Sequence, residues 1–269
     1  MNFTKMQGCG NDYIYVDSEK EKIRNPSALA RRISDRHYGV GADGLILICP
    51  SDRADFRMEM YNADGSRGTM CGNGIRCLGQ YVYQNGKTEK KELEIETDSG
   101  IKKLWLYPDD KNFRVRVCMG VPDIREKHFA VSIRGRKTEV VLVSMGNPHA
   151  VIFLPPDAGS FRQWKMEYAR EISEYSAFRG GINAELVRMT SEYGMKMRVW
   201  ERGSGETLSC GTGACAAAAA AAVTGRGKRR MKIEMPGGIL STEWKTGSGL
   251  MYLEGTSRII CKGDYTDKY

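Results

Sequence analysis

Apolar and polar positions alternate with period two over residues 101–107, 113–119, 140–143, 195–200 and 239–244, the pattern of half-buried strands. Helical spacing appears in four other places. Asn25-Pro26 can cap and open a helix that carries Leu29, Ala30 and Ile33 and runs to about residue 37. A second amphipathic stretch begins near Ser160, with Trp164, Tyr168 and Ile172 at four-residue spacing. Two more helices span about 73–85 and 212–224, and each stops at a glycine, Gly86 or Gly225. In the last of them Ala214 and all of 216–222 are alanine, so no face is polar. Such a helix is buried all round, with strands packed close on it. The pattern predicts an α+β fold in which a curved sheet wraps a central helix.

The chain also repeats itself. Residues 71–74 read Cys-Gly-Asn-Gly and residues 210–213 read Cys-Gly-Thr-Gly, each at the start of a central helix. Ile95-Glu96 with Gly100-Ile101 echoes Ile233-Glu234 with Gly238-Ile239, 24 and 23 residues after the two cysteines. Tyr61-Asn62 and Trp200-Glu201 stand ten and nine residues before them. Asn11 precedes Cys71 by 60 residues and Asn147 precedes Cys210 by 63, both beside glycine-containing turns. One match is weak, but several in the same order imply two pseudo-symmetric halves. The expected division is 1–117 with 257–269, and 118–256, joined near 117–121.

Composition narrows the class. Of 269 residues, 41% are hydrophobic and 28% charged, as in an ordinary globular chain. No apolar run reaches membrane-spanning length, and the N-terminus lacks a leader pattern, so a cytoplasmic protein with no membrane partner is expected. The net charge is +8, with basic stretches at 134–137 and 226–230. No aromatic-interleaved motif accompanies them, so they read as solvated surface, or as a field that steers a small anionic substrate, rather than as a nucleic-acid site. The eight cysteines include no C-x-x-C pair, and the three histidines are not grouped near them, which speaks against zinc.

Cys71 and Cys210 each stand at a glycine-opened helix start, where the helix dipole favours a thiolate. Removing a proton from the α carbon of an amino acid needs a base on one face, and inversion needs an acid on the other. A thiolate and a thiol supply both and exchange roles in reverse. Backbone N–H groups at Gly72, Asn73, Gly211 and Thr212 can hold the carboxylate as it gains enolate charge. A single Cys-Gly reads as a buried cysteine before a helix; a matched pair in duplicated contexts does not.

The motifs that carry a resemblance are Lys5-Met6-Gln7-Gly8-Cys9-Gly10-Asn11-Asp12-Tyr13, Asn62-Ala63-Asp64-Gly65-Ser66 and Met70-Cys71-Gly72-Asn73-Gly74-Ile75-Arg76-Cys77. To these are added Met145-Gly146-Asn147-Pro148-His149 and the run from Glu201-Arg202 to Cys210-Gly211-Thr212-Gly213-Ala214. Over nearly its full length the chain resembles the diaminopimelate epimerase family. The resemblance implies two barrel-like domains with the site in the cleft between them. It implies interconversion of LL- and meso-2,6-diaminopimelate, a precursor of lysine and of cell-wall cross-links, without cofactor or metal. It makes Cys71 and Cys210 the acid–base pair, with His149 and Glu201 supporting their protonation. It assigns Asn62, Asn147, Asn183 and Arg202 to the distal amino-acid end and Asn11 to a further substrate contact. Members of the family are often homodimers. Two positions depart from its pattern: Gln7, where many members have histidine, and Gly44, where some have glutamine.

A racemase for histidine or proline on the same scaffold can keep the thiol pair while changing the distal pocket. Retention of Asn62, Asn147, Asn183 and Arg202 favours a substrate with a second amino-acid end. A redox-responsive binding protein with a reversible Cys71–Cys210 disulfide is the rival from another class. Arg76, inside the first central helix, reads as a snorkelling or paired side chain.

Overall fold

The computed structural model describes residues 1–108, 112–160 and 163–266. The chain forms two compact units, Met1–Val117 together with the chain from Gly255, and Cys118–Glu254. The first unit runs β1 (Asn2–Gly8), β2 (Asn11–Asp17), α1 (Pro26–Ser34), β3 (Gly44–Cys49), β4 (Phe56–Asn62), β5 (Arg67–Gly68) and α2 (Gly72–Gln84). It continues with β6 (Glu92–Thr97), β7 (Gly100–Tyr107) and β8 (Arg114–Gly120). The second unit runs β9 (Asp123–Ile133), β10 (Arg136–Ser144), β11 (Pro148–Phe153), α3 (Met166–Ser173), β12 (Asn183–Ser191), β13 (Gly194–Glu201), β14 (Gly205–Thr207) and α4 (Gly211–Val223). It closes with β15 (Arg230–Met235), β16 (Gly238–Trp244) and β17 (Met251–Thr256), and β18 (Arg258–Asp264) returns to pair with β1.

The duplication is complete at the level of pairing. In the first unit the strands follow the order β18, β1, β2, β3, β4, β6, β7, β8, parallel at β2/β3 and β4/β6 and antiparallel elsewhere. In the second the order is β9, β10, β11, β12, β13, β15, β16, β17, parallel at β11/β12 and β13/β15. Each parallel step contains one of the four α-helices among the described residues, because a parallel neighbour can be reached only by a crossover. Among the described residues the terminal strands of a run do not pair with each other inside their unit, so each sheet is curved but open. Barrel-like describes its curvature and not a closed barrel.

The central helices explain that curvature. α2 is buried from Gly72 to Val82 and touches β18, β1 and β2 at one end of the pairing order and β7 near the other. α4 is buried from Gly213 to Ala221 and touches β9 to β12, β15 and β16. The outer helices cover the opposite faces. Leu29, Ala30 and Ile33 of α1 pack with Ile14, Val16, Leu45 and Leu47, while Tyr15, between Ile14 and Val16, sends its hydroxyl to the Gly74 carbonyl on α2 at 2.9 Å. Strands covered on both faces lose their alternation, which is why β2 and β3 show none in sequence.

Two helix ends differ from expectation. α1 stops at Ser34 rather than near 37, because Asp35 Oδ1 accepts the backbone N–H groups of His37 and Tyr38, both at 2.7 Å, and turns the chain away. Of the helix expected from near Ser160, residues 161 and 162 lie outside the described residues. The helix that is described starts at Met166, behind a Lys165 that supplies no capping side chain. Trp164 precedes it and is buried in the same core as Met166, Ala169 and Ile172.

Candidate active site

Cys71 and Cys210 are the N-cap residues of α2 and α4, with nearly identical backbone angles (φ −129°, ψ 119° and φ −128°, ψ 118°). Each sulfur accepts a backbone N–H three residues on, from Gly74 at 3.3 Å and from Gly213 at 3.4 Å. Serine, threonine, aspartate or asparagine ordinarily does this work. A sulfur in that place sits against unpaired N–H groups at the positive end of the helix dipole. The glycines let the sheet approach: a Cβ on Gly74 would lie 2.7 Å from Ile46 Cδ1, and one on Gly213 would lie 2.7 Å from Glu185 Oε1.

In the first unit, Cys71 is partly exposed, and its thiol donates to Asn11 Oδ1 at 3.2 Å. Asn11 is fixed in turn by Nδ2 donating to Asp43 Oδ2 at 2.7 Å, in a cluster that also holds Arg36 and Asp12. Behind the helix start lies Arg76, fully buried. Its Nη1 donates to the Gly72 carbonyl at 3.0 Å and its Nη2 to Asn73 Oδ1 at 2.9 Å, and its Nε has no partner. No carboxylate among the described residues pairs with it. Arg76 therefore adds a full positive charge to the end of the helix that carries Cys71. Two other thiols stand close by. Burial raises Cys9 against the opposing pull of Arg76, and burial pushes Cys77 up to about 12, so neither thiol ionises near neutrality.

The second unit surrounds its cysteine differently. Cys210 is 6% exposed. Burial pushes its thiol well up, and the Glu201 and Glu185 carboxylates push it further, against the hydrogen bonds from Thr212 and Gly213. Glu201 is itself raised by burial, opposed by hydrogen bonds from Thr207 (2.5 Å to Oε1) and from the Cys210 thiol. Thr212 Oγ1 lies 3.4 Å from Cys210 Sγ and accepts from Asn147 Nδ2 at 3.3 Å. Asn147 Oδ1 lies 3.0 Å from His149 Nε2, and His149 Nδ1 lies 2.6 Å from Glu185 Oε1, both side chains wholly buried.

The expected residues thus gather into two clusters: Cys71, Gly72, Asn73 and Asn11 in one unit, and Cys210, Gly211, Thr212, Asn147, His149 and Glu201 in the other. The expected distal set is placed less directly. Asn183 Oδ1 accepts the Arg202 N–H at 2.9 Å and its Nδ2 donates to the Pro148 carbonyl at 3.1 Å, so its amide braces the strands that carry His149 and Arg202. The Arg202 side chain is exposed. Asn62 ends β4 and donates to Ser66 Oγ at 2.9 Å. Gln7 closes the β1–β2 turn by accepting the Gly10 N–H at 2.9 Å. Gly44 admits no side chain, because a Cβ would lie 2.2 Å from the Tyr61 carbonyl. Asp43 and Glu185 were not expected from the sequence; both are acidic residues next to a parallel-paired strand that carries a site amide or imidazole. Among the described residues no group of three or more histidine, cysteine or acidic side chains is placed to hold a metal ion.

Comparison with known proteins supplies the context. The family described as diaminopimelate epimerase matches residues 3–124 and 141–260. A diaminopimelate epimerase of Acetivibrio thermocellus is 43% identical over 277 residues, covering 98% of this chain and 98% of that protein. Among solved structures, a Bacillus anthracis phenazine biosynthesis protein of the PhzF family superposes with a TM-score of 0.76 at 16% identity, over 99% of both chains. A probable proline racemase from Agrobacterium radiobacter superposes with a TM-score of 0.74 at 15% identity, over 98% of this chain and 92% of the other. The two structural likenesses establish the fold.

Proposed function

Because the chain belongs to the diaminopimelate epimerase family and is an isomerase of that class, we propose that it interconverts LL- and meso-2,6-diaminopimelate with Cys71 and Cys210 as its two catalytic residues. One thiolate takes the α proton and becomes a thiol; the electron pair left on carbon is delocalised into the carboxylate. The opposite thiol returns a proton to the other face and becomes a thiolate, so stereochemistry inverts and charge balances. The N–H groups that open α2 and α4, at Gly72, Asn73, Gly211 and Thr212, receive the carboxylate where its charge grows. Asn62, Asn147, Asn183 and Arg202 take the distal end, where an arginine fork suits a carboxylate.

The observation that carries this reading is the pair of capping sulfurs in unlike fields. Arg76 places a cation one turn behind Cys71, whereas two carboxylates stand by Cys210. Cys210 is accordingly the proton donor, and Cys71, once it has given up the proton it shares with Asn11 Oδ1, is the base. No described helix is long and apolar enough to cross a membrane; a cytoplasmic homodimer accompanies the reading.

The test is incubation of the purified protein with LL-diaminopimelate in heavy water. Conversion to the meso form, with one deuterium at the inverted carbon, is expected, and Cys71→Ser or Cys210→Ser should each lower the rate by about 10³-fold or more. No conversion, alongside turnover of proline or another amino acid, would reject the substrate.

A further inference from the structure

One buried acid enters the chemistry above only as a nearby charge. Glu185 lies on β12 beside β11, which carries His149, and neither side chain reaches solvent. Its Oε1 is 2.6 Å from His149 Nδ1, and its Oε2 is buried with no partner. A carboxylate so placed is costly to bury unless it is paired, and among the described residues its side-chain partner is His149.

The contacts lead to one atom. Asn147 Oδ1 can only accept, so His149 Nε2 donates to it at 3.0 Å. Asn147 Nδ2 donates to Thr212 Oγ1 at 3.3 Å, and Thr212 Oγ1 is 3.4 Å from Cys210 Sγ. His149 Nε2 and Asn147 Nδ2 thus donate toward the sulfur, while His149 Nδ1 faces Glu185. Glu185 also comes close to Cys210 at Gly213: a Cβ built there would lie 2.7 Å from Glu185 Oε1 and 3.4 Å from Cys210 Sγ.

We propose that Glu185 is a positioning residue for Cys210: it anchors the His149–Asn147–Thr212 chain that aims the thiol and sets a buried carboxylate beside that sulfur. The proposal rests on the reading of Cys210 as the proton donor. The charged and titratable groups facing Cys210 are Glu185 from β12, Glu201 from β13 and His149 from β11, while the first turn of α4 carries no charge. Once Cys210 gives up its proton, the Thr212 hydroxyl can donate to the thiolate. The chain then holds the sulfur in place through both halves of the cycle.

The experiment is alkylation of the full-length protein by iodoacetamide from pH 6 to 10, with Cys71 and Cys210 read separately by peptide mass spectrometry. Glu185→Gln keeps an acceptor for His149 Nδ1 and removes the charge. Its Cys210 should react at least tenfold faster at pH 7.5, with the pH profile displaced to lower pH, while Cys71 changes by less than twofold. An unchanged Cys210 profile, or equal acceleration of both cysteines, overturns the proposal. Glu185→Asp keeps the charge and shortens the reach. Its Cys210 should stay slow to alkylate while kcat falls at least tenfold at unchanged KM; wild-type kcat overturns the proposal even if the glutamine variant does not fold. A wild-type protein that fails to turn over diaminopimelate sinks the substrate assignment but leaves the alkylation result to stand on its own.

Discussion

Gly74 and Gly213 occupy the same place in the two halves, yet alanine should be tolerated at one and not at the other. Both lie in the first turn of a helix, where alanine is favoured over glycine by about 0.5–1 kcal/mol. At position 74 the new methyl meets Ile46 Cδ1 at 2.7 Å, the far end of a side chain that can rotate away. The cost of crowding there is about 1 kcal/mol, so the net change is near zero. At position 213 the methyl meets Glu185 Oε1 at the same 2.7 Å, but that oxygen is held to His149 in a site closed to water. Moving it forfeits a charge-assisted hydrogen bond, about 1.5–3 kcal/mol, and crowding adds about 1–3 kcal/mol. After the gain in helix propensity, Gly213→Ala should destabilise the protein by about 1.5–5.5 kcal/mol. At roughly 2–4 °C per kcal/mol, its Tm should drop by on the order of 10 °C. Urea unfolding followed by tryptophan fluorescence reports both units, since Trp105 lies in the first and Trp164, Trp200 and Trp244 in the second. Equal losses at the two glycines, or a stabilised Gly213→Ala, would show that the Glu185–His149 contact does not constrain the start of α4.

Arg76→Met removes a buried cation without a carboxylate partner; kcat/KM should fall by about tenfold or more while Tm moves by less than about 4 °C, and unchanged activity would strip Arg76 of any role at the helix start. The thiol of Cys77 ionises near 9.0 when unfolded and about 12 when folded, so the folded state holds more protons between those values and stability falls as pH rises through that window. By pH 10.5 this costs about 2 kcal/mol, and Cys77→Ala should lose correspondingly less between pH 8 and 10.5 in urea unfolding; equal losses refute the assignment. If both catalytic sulfurs reach one carbon, mild oxidation should link Cys71 to Cys210 and abolish turnover, with dithiothreitol restoring it. Full activity in a protein whose peptide map shows that link would defeat the two-thiol mechanism.

The helix starts at Cys71 and Cys210 and the stops at Gly86 and Gly225 were legible because capping chemistry is local: cap, glycine and apolar run lie within one or two turns. The duplication was legible because its markers recur in order. The partners of the thiols were not. Glu185 sits in a strand reading Asn183-Ala184-Glu185-Leu186-Val187, and its neighbour His149 is 36 residues upstream. Only the parallel pairing of β11 with β12 brings them together, and nothing in the local pattern says that this glutamate is dry. Arg76 was visible but read as a snorkelling or paired side chain, because burial on every face of α2 cannot be inferred from a helix that also carries Gln80 and Gln84. Asn183 shows what the motif leaves out: its amide already holds the Pro148 carbonyl and the Arg202 N–H, which leaves one N–H and one lone pair for the substrate contact the motif assigns to it.

A rod studded with identical methyls has no notch by which its neighbours can index it. The body of α4, from Ala216 to Ala222, offers little to stop it from turning about its own axis or creeping along it. Its setting must come from bonds that reach beyond the helix, and its first turn supplies one: the Asn147 amide, on another strand connection, donates to the Thr212 hydroxyl at 3.3 Å. That hydroxyl also lies 3.4 Å from the Cys210 sulfur, so cutting the tether would let the rod drift and carry the thiol with it.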